Sequence, residues 1–214
     1  ETASKDQKLT SLAEYVDRMP EDQTCIYYAC GESIARIEAL PQTELVKDKG
    51  YEILYFTDSV DEFAIRMLMK YKDKEFKSVS ANDLNLESEE EKKELEQKET
   101  ESKDMLETMQ KALDGKVAKV KLSGRLKSHP VCLSNEGDLS MEMAKTLNAM
   151  PGVDQPVQAQ TILELNPEHP IYQKLKTLDD EMLGKYSQLL YNQALLIELS
   201  LIHISEPTRL LSIS

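Results

Sequence analysis

Residues 87–104, ESEEEKKELEQKETESKD, carry eight Glu, four Lys and one Asp against a single leucine. A segment with one apolar residue has no face to bury, so it cannot sit inside a core. It divides the chain into two parts that must each find their own apolar partners, and it serves as a linker or as a solvated helix. Glu94–Lys98 and Glu99–Lys103 are attractive i,i+4 pairs, which favour the helix. The expected organisation is a first unit at 1–86, the charged segment at 87–104, a second unit at 105–198 and an atypical tail at 199–214.

Before the charged segment, strand-like and helix-like patterns alternate. Residues 11–19 place Leu12, Tyr15, Val16 and Met19 on one helical face. Residues 25–29 form a short apolar strand and 33–40 a helix. Pro41 opens another helical turn that ends at Lys49-Gly50, a good C-cap. Ile53–Phe56 is an uninterrupted apolar run, as expected of a strand covered on both faces. Asp58 or Ser59 caps a helix reaching to about Tyr71, and residues 76–79 supply a third strand. This β-α-β-α-β alternation predicts parallel strands in a small three-layer α/β unit.

After the charged segment, Met105, Leu106, Met109 and Leu113 make a helical stripe. Residues 117–122 alternate apolar with basic side chains, the mark of a half-buried strand, and 131–133 are expected to pair beside it. Residues 138–150 read as a helix and 160–165 as a strand. In the run Leu165-Asn166-Pro167-Glu168-His169-Pro170-Ile171, proline ends the strand, Asn166 can cap, Pro167 suits a first helical turn and Glu168 suits the positive helix start. Residues 179–197 give the longest helix. The second unit is thus α+β and ends in helices.

Composition excludes several functions. The net charge of −13 opposes nucleic-acid binding and gives no pull toward an anionic membrane. No stretch has the roughly 20 apolar residues of a membrane helix. Three cysteines, Cys25, Cys30 and Cys132, leave one unpaired in any disulfide scheme, which fits a reduced cytoplasmic setting. His129-Pro130 and His169-Pro170 read as turns, and their spacing fits no standard zinc site. Neither a complete GxGxxG nor a Walker A lysine is present. Cys30 and Ser33, at the first strand-to-helix turn, leave open a small α/β thiol or hydroxyl enzyme.

The ordered set of motifs is more specific than any one of them. SLAEYVDRM, IYYACGES, YEILYFTDSVDEFAI and KEFKSVS resemble the distal part of the middle domain of the 90-kDa heat-shock protein chaperone family, in its bacterial branch. LSGRLKSHPVCL, MEMAKTLNAM, LELNPEHPIYQKL and LLYNQALLIE resemble its C-terminal dimerisation domain. Together they cover roughly residues 8 to 198 in the family's order. The resemblance implies a chaperone fragment that holds unfolded or partly folded client proteins, with no catalytic residues and no cofactor of its own; the alternative is a passive dimerisation module without client contact. ATP, Mg and ATP hydrolysis belong, by the same resemblance, to an N-terminal domain upstream.

Two surfaces follow from setting the residues beside that resemblance. Leu139, Met143, Leu147 and Met150 fall at i, i+4, i+8 and i+11 on one helical stripe. Such a stripe either packs into its own core or offers an adaptable, methionine-bearing surface to many partners. In SVDEFAIRMLMKY the apolar face carries Ile65, Leu68 and Met69. Phe63 falls to another side, either as packing or as an aromatic anchor beside Glu62. The resemblance implies client contact at Leu139, Met143, Leu147, Glu62 and Phe63. It also implies a homodimer through the last helix, whose apolar positions include Met182, Leu183, Tyr186, Leu189, Leu190, Ala194 and Ile197. The tail LSLIHISEPTRLLSIS departs from the family's closing helix and reads as a foreign addition, so pairing is expected to be impaired in this chain.

Overall fold

The computed structural model describes residues 2–3, 9–58, 60–151 and 155–199. The first sheet contains β1 (Thr2–Ala3), β2 (Leu9–Thr10), β3 (Cys25–Cys30), β4 (Ile53–Phe56), β5 (Lys70–Tyr71) and β6 (Lys74–Ser78), in the order β2-β1-β4-β3-β6-β5. β3 runs parallel to both β4 and β6, and the short outer strands are antiparallel. Side chains alternate across a strand. Tyr27, Ala29, Ile53 and Tyr55 therefore share one face with Ile37 and Val46. Ile26, Tyr28, Leu54 and Phe56 pack on the other with Tyr15 and Ile65. The helices on the first face are α2 (Ile34–Glu38) and α3 (Glu44–Asp48), joined through a 3-10 turn at Pro41–Thr43; those on the second are α1 (Leu12–Arg18) and α4 (Asp61–Leu68). This is the expected three-layer α/β arrangement.

Local chemistry sets most boundaries. Ser11 caps α1 in a reciprocal box with Glu14, and Ser33 caps α2. Gly50, at φ +76°, closes α3 in the conformation that only glycine adopts freely. The fourth helix is shorter than its pattern predicts. It stops at Leu68 because Met69 takes φ +60°, and the chain then turns back as a hairpin. Tyr71 pairs with Lys74, and the two turn residues Lys72 and Asp73 both have positive φ, which defines a tight mirror-image turn. Asp58 accepts from the Val60 amide ahead of α4 and does not cap it directly; Ser59 lies outside the described residues.

The charged segment is a helix, α5 (Glu89–Glu101), capped by a Ser88–Glu91 box. None of its residues is buried, but it is not a loose tether. Leu95 rests on the second core, Glu99 accepts from the Leu122 amide at 2.8 Å, and Lys98 pairs with Glu168. Buried Ser102 bonds to the Tyr172 hydroxyl as the chain passes into α6 (Lys103–Ala112).

The second sheet is β7 (Lys119–Leu122), β9 (Gln160–Leu165) and β8 (Val131–Glu136), in the order β7-β9-β8. Residues 131–133 thus pair with β9 rather than beside β7: β9 is parallel to β7 and antiparallel to β8. As the apolar run TILEL allows, β9 takes the middle. Val131, Leu133, Leu163 and Leu165 face a core built with α6, α8 (Pro170–Leu175) and α9 (Asp180–Leu199). The remaining helix, α7 (Met141–Ala149), follows β8. α8 begins at Pro170 with His169 as its cap, one turn later than Pro167 suggests. Asn166 serves a different purpose: its amide donates to Lys127 O and His129 O, and its Oδ1 accepts from Glu168 N.

The opposite face of the second sheet is polar and meets the first unit. Lys121 and Glu164 are cross-strand partners, and Ser134 and Ser123 both donate to the Glu164 carboxylate. Arg125, only 3% exposed, ion-pairs with Glu164 at 3.1 Å and donates to Val79 O at 2.8 Å and Ala81 O at 2.7 Å. Burial pushes the Glu164 carboxyl up, but the Arg125 and Lys121 cations and the two serine donors outweigh it and hold it below the usual range. Glu44 adds a second clasp, accepting from Lys127 N, Ser128 N and the His129 ring.

Candidate functional site

α4 and α7 come from the two different sheets and meet along the seam. Glu62, on the first turn of α4, is 3% exposed, and its Oε2 accepts a 2.6 Å hydrogen bond from Ser140 Oγ. The same hydroxyl accepts from Met143 N at 3.0 Å and caps α7. Arg66 lies between Glu62 at 3.5 Å and Asp138 at 3.7 Å. Farther along α7, Lys145 pairs with Glu32, which also holds Arg36. Glu62, Glu32 and Lys145 border a cavity of about 290 Å³ that Cys30 and Glu142 also help to line. Burial raises the Glu142 carboxyl, and nearby Glu32 and Glu62 add to the shift.

Around this polar seam lies exposed apolar surface. Met67 is 86% exposed and Met69 67%, and Val60 and Leu68 are exposed as well. On α7, Met141 packs toward the second core and Ala144 is buried. Met143, Leu147 and Met150 follow one another at i, i+4 and i+7 on a stripe offset from that inner face. Met143 and Leu147 are half-buried, belong to none of the apolar cores, and lead to exposed Met150.

The predicted contact residues are therefore distributed unevenly. Met143 and Leu147 sit on α7 as expected. Leu139 does not: the helix starts at Met141, leaving Leu139 half-buried just ahead of the cap. Phe63 is half-buried on α4, whereas Glu62 points inward to Ser140 and is covered. Asp138 and Ser140 are both good caps, and choosing the second shortens the helix. Sequence reasoning misses Ser140 and Arg66, although a serine directly ahead of the helical pattern that begins at Met141 is a cap signal.

The last helix divides its apolar positions between two faces. Leu183, Ser187, Leu190 and Ala194 are buried, so Leu190 and Ala194, expected at a dimer contact, complete this chain's own core. Tyr186 packs partly on that core, and Ile197 is half-buried. Met182, Leu189 and Leu196 recur every seven residues and are 38%, 60% and 58% exposed. Leu196 was not singled out in the sequence, although the heptad spacing was there to find. Residues 200–214, most of the atypical tail, lie outside the described residues.

The enzyme alternative finds little support at the first strand-helix turn. Ser33 is engaged as the α2 cap. Burial pushes the Cys30 thiol far up, with Glu62, Asp61 and Glu142 adding to the shift, so the nucleophilic thiolate is suppressed.

Comparison with known proteins places this architecture. Residues 1–210 match the family described as Hsp90 protein. The chain belongs to the Hsp90 family. It is 56% identical over 199 residues to Chaperone protein HtpG of Bacillus velezensis and to that of Bacillus subtilis, and 58% identical over 199 residues to that of Clostridium acetobutylicum. Each comparison takes in 92% of this Hsp90-family chain and 31% or 32% of the relative, so the chain spans about a third of the length of the proteins it matches.

Proposed function

We propose that this chain is the distal middle and C-terminal segment of an HtpG-type chaperone, divided at the charged helix, and that it holds incompletely folded client proteins in the cytoplasm. The observation that carries the reading is the pair of apolar surfaces on α4 and α7, flanking one polar seam and left out of every apolar core among the described residues. Met67, Phe63, Met143 and Leu147 are the contact residues, and methionine's flexible thioether suits them to varied partners. Covering one such side chain fully contributes about 1.5–3 kcal/mol. Several of them, partly covered already, give a few kcal/mol, which suits reversible holding rather than permanent capture.

Where protomers pair, in this reading, Met182, Leu189 and Leu196 carry the contact, their heptad spacing lining one side of α9, and the atypical tail weakens that pairing in this chain. In the same reading, ATP binding and hydrolysis belong to other parts of the family's proteins; the ordered likeness to the family's later domains supports that assignment. The test is suppression of aggregation of a chemically denatured enzyme. Met143→Ser with Leu147→Ser should lose most of the protection while keeping the parent's circular dichroism spectrum. Full protection by the double variant would remove α7 from the client surface.

A further inference from the structure

The helices that carry the two apolar surfaces are anchored in different cores. Ile65 of α4 packs beneath the first sheet, and Met141 of α7 packs toward the second. No apolar cluster among the described residues joins them; the space between is the cavity bordered by Glu62, Glu142 and Lys145. Among the described residues, one short hydrogen bond joins the start of α4 to the start of α7, from Ser140 Oγ to Glu62 Oε2. Both partners are buried, at 5% and 3% exposure. Arg66 steadies the joint from the side by facing Glu62 and Asp138.

We infer that Glu62 is a positioning residue: its covered carboxylate ties α4 to the cap of α7, so that the two apolar surfaces are held in one fixed relation. Ser140 can donate to Glu62 and accept from Met143 N at the same time because a hydroxyl offers one proton and two lone pairs. Glu62 therefore acts on α7 through the orientation of the cap. If Ser140 loses its acceptor, the hydroxyl is free to rotate and α7 frays from its first turn. If Glu62 loses its donor, a buried carboxylate is left short of a partner and α4 loosens in return. Energetic coupling of this kind is reciprocal. The functional part of the inference rests on the client-holding reading; the mechanical part does not.

The test uses the full chain and four variants: Glu62→Ala, Ser140→Ala, the double variant, and Glu62→Gln, which keeps an oxygen for Ser140 to reach. Amide exchange at Met143 and Ala144 reports the state of the α7 cap. Glu62→Ala should speed that exchange by about fivefold, the typical size of a lost helix cap. The double variant should be no faster than Ser140→Ala alone, and Glu62→Gln should return to within about twofold of the parent. Unchanged exchange in Glu62→Ala, or effects that multiply in the double variant, would overturn the coupling.

Binding to reduced, carboxymethylated lactalbumin, a permanently unfolded probe, then separates positioning from direct contact. Positioning requires that Glu62→Ala weaken binding in the parent and add nothing once Ser140 is already alanine. An equal further loss on the Ser140→Ala background makes Glu62 a client contact and refutes the inference. If the parent itself fails to bind the probe, the client-holding reading falls, and the exchange rates decide the coupling on their own.

Discussion

Replacing Arg125 by methionine should show how firmly the two sheets are joined. The guanidinium makes three contacts at 2.7–3.1 Å: two to the carbonyls of Ala81 and Val79 in the first unit, and one to Glu164 on the central strand of the second. Methionine fills much of the same volume, so the cost is mainly electrostatic and lost hydrogen bonding. Breaking a buried ion pair by removing one partner costs about 3–5 kcal/mol. Glu164 keeps Lys121 at 3.3 Å and both serine donors, which favours the lower end, about 3 kcal/mol. Adding Glu164→Gln removes the stranded charge and should recover about 1–2 kcal/mol of that loss. Urea unfolding gives the numbers. The chain has no tryptophan, and Tyr27, Tyr28, Tyr51 and Tyr55 are buried in the first unit. Tyrosine emission therefore reports mainly on that unit, while circular dichroism reports on both. The parent should unfold in one transition by both probes, and Arg125→Met should separate them. A single-variant cost below about 1 kcal/mol, or a double variant as costly as the two singles added, would refute the view of Arg125 as the central tie.

Acid sensitivity follows from the same cluster. The Glu164 carboxyl is held below its ordinary value, so its stabilisation is present at neutral pH and is lost as pH falls below about 4.5 through the lowered folded value. The parent should therefore lose more stability than Glu164→Gln between about pH 5 and pH 3, read from urea midpoints; equal losses would contradict the assigned shift. For the last helix, Leu189→Ser with Leu196→Ser should shift sedimenting dimer to monomer while the circular dichroism spectrum stays that of the parent, because both side chains are more than half exposed in the single chain. A chain that stays monomeric even with residues 200–214 removed would argue against pairing through this face.

Much of the architecture was legible because period and capping agreed. Ile53–Phe56 and Gln160–Leu165 are strands with the bounds that their apolar runs suggested. Ser11, Ser33 and Gly50 end or begin helices as their chemistry demands. The errors also have physical causes. α4 was drawn too long because Lys72 and Asp73 form a mirror-image turn without the glycine that normally announces one. β8 was set beside the wrong strand because the strands themselves carry little trace of pairing order: edge strand β8 is buried along nearly its whole length, just as the middle strand β9 is. The polar tie between the sheets left only a faint trace: Glu164 is a charge inside the apolar run TILEL, and nothing in the spacing connects it to Arg125.

The division between apolar and polar packing explains why the candidate surfaces lie where they do. Each sheet spends most of its aliphatic side chains on its own helices, and the contact between the two is rich in polar groups, among them Arg125, Glu164, Lys121, Glu44, Glu62 and Gln42. Hydrogen-bonded charges demand particular geometry, whereas an apolar contact tolerates sliding. The polar seam therefore fixes the relation between α4 and α7 without consuming their oily residues, and Met67, Met69 and Met150 remain outside. An apolar seam would have drawn those residues in. The chain's net charge of −13 then works in the same direction: mutual repulsion between copies opposes clumping of a molecule with exposed methionines.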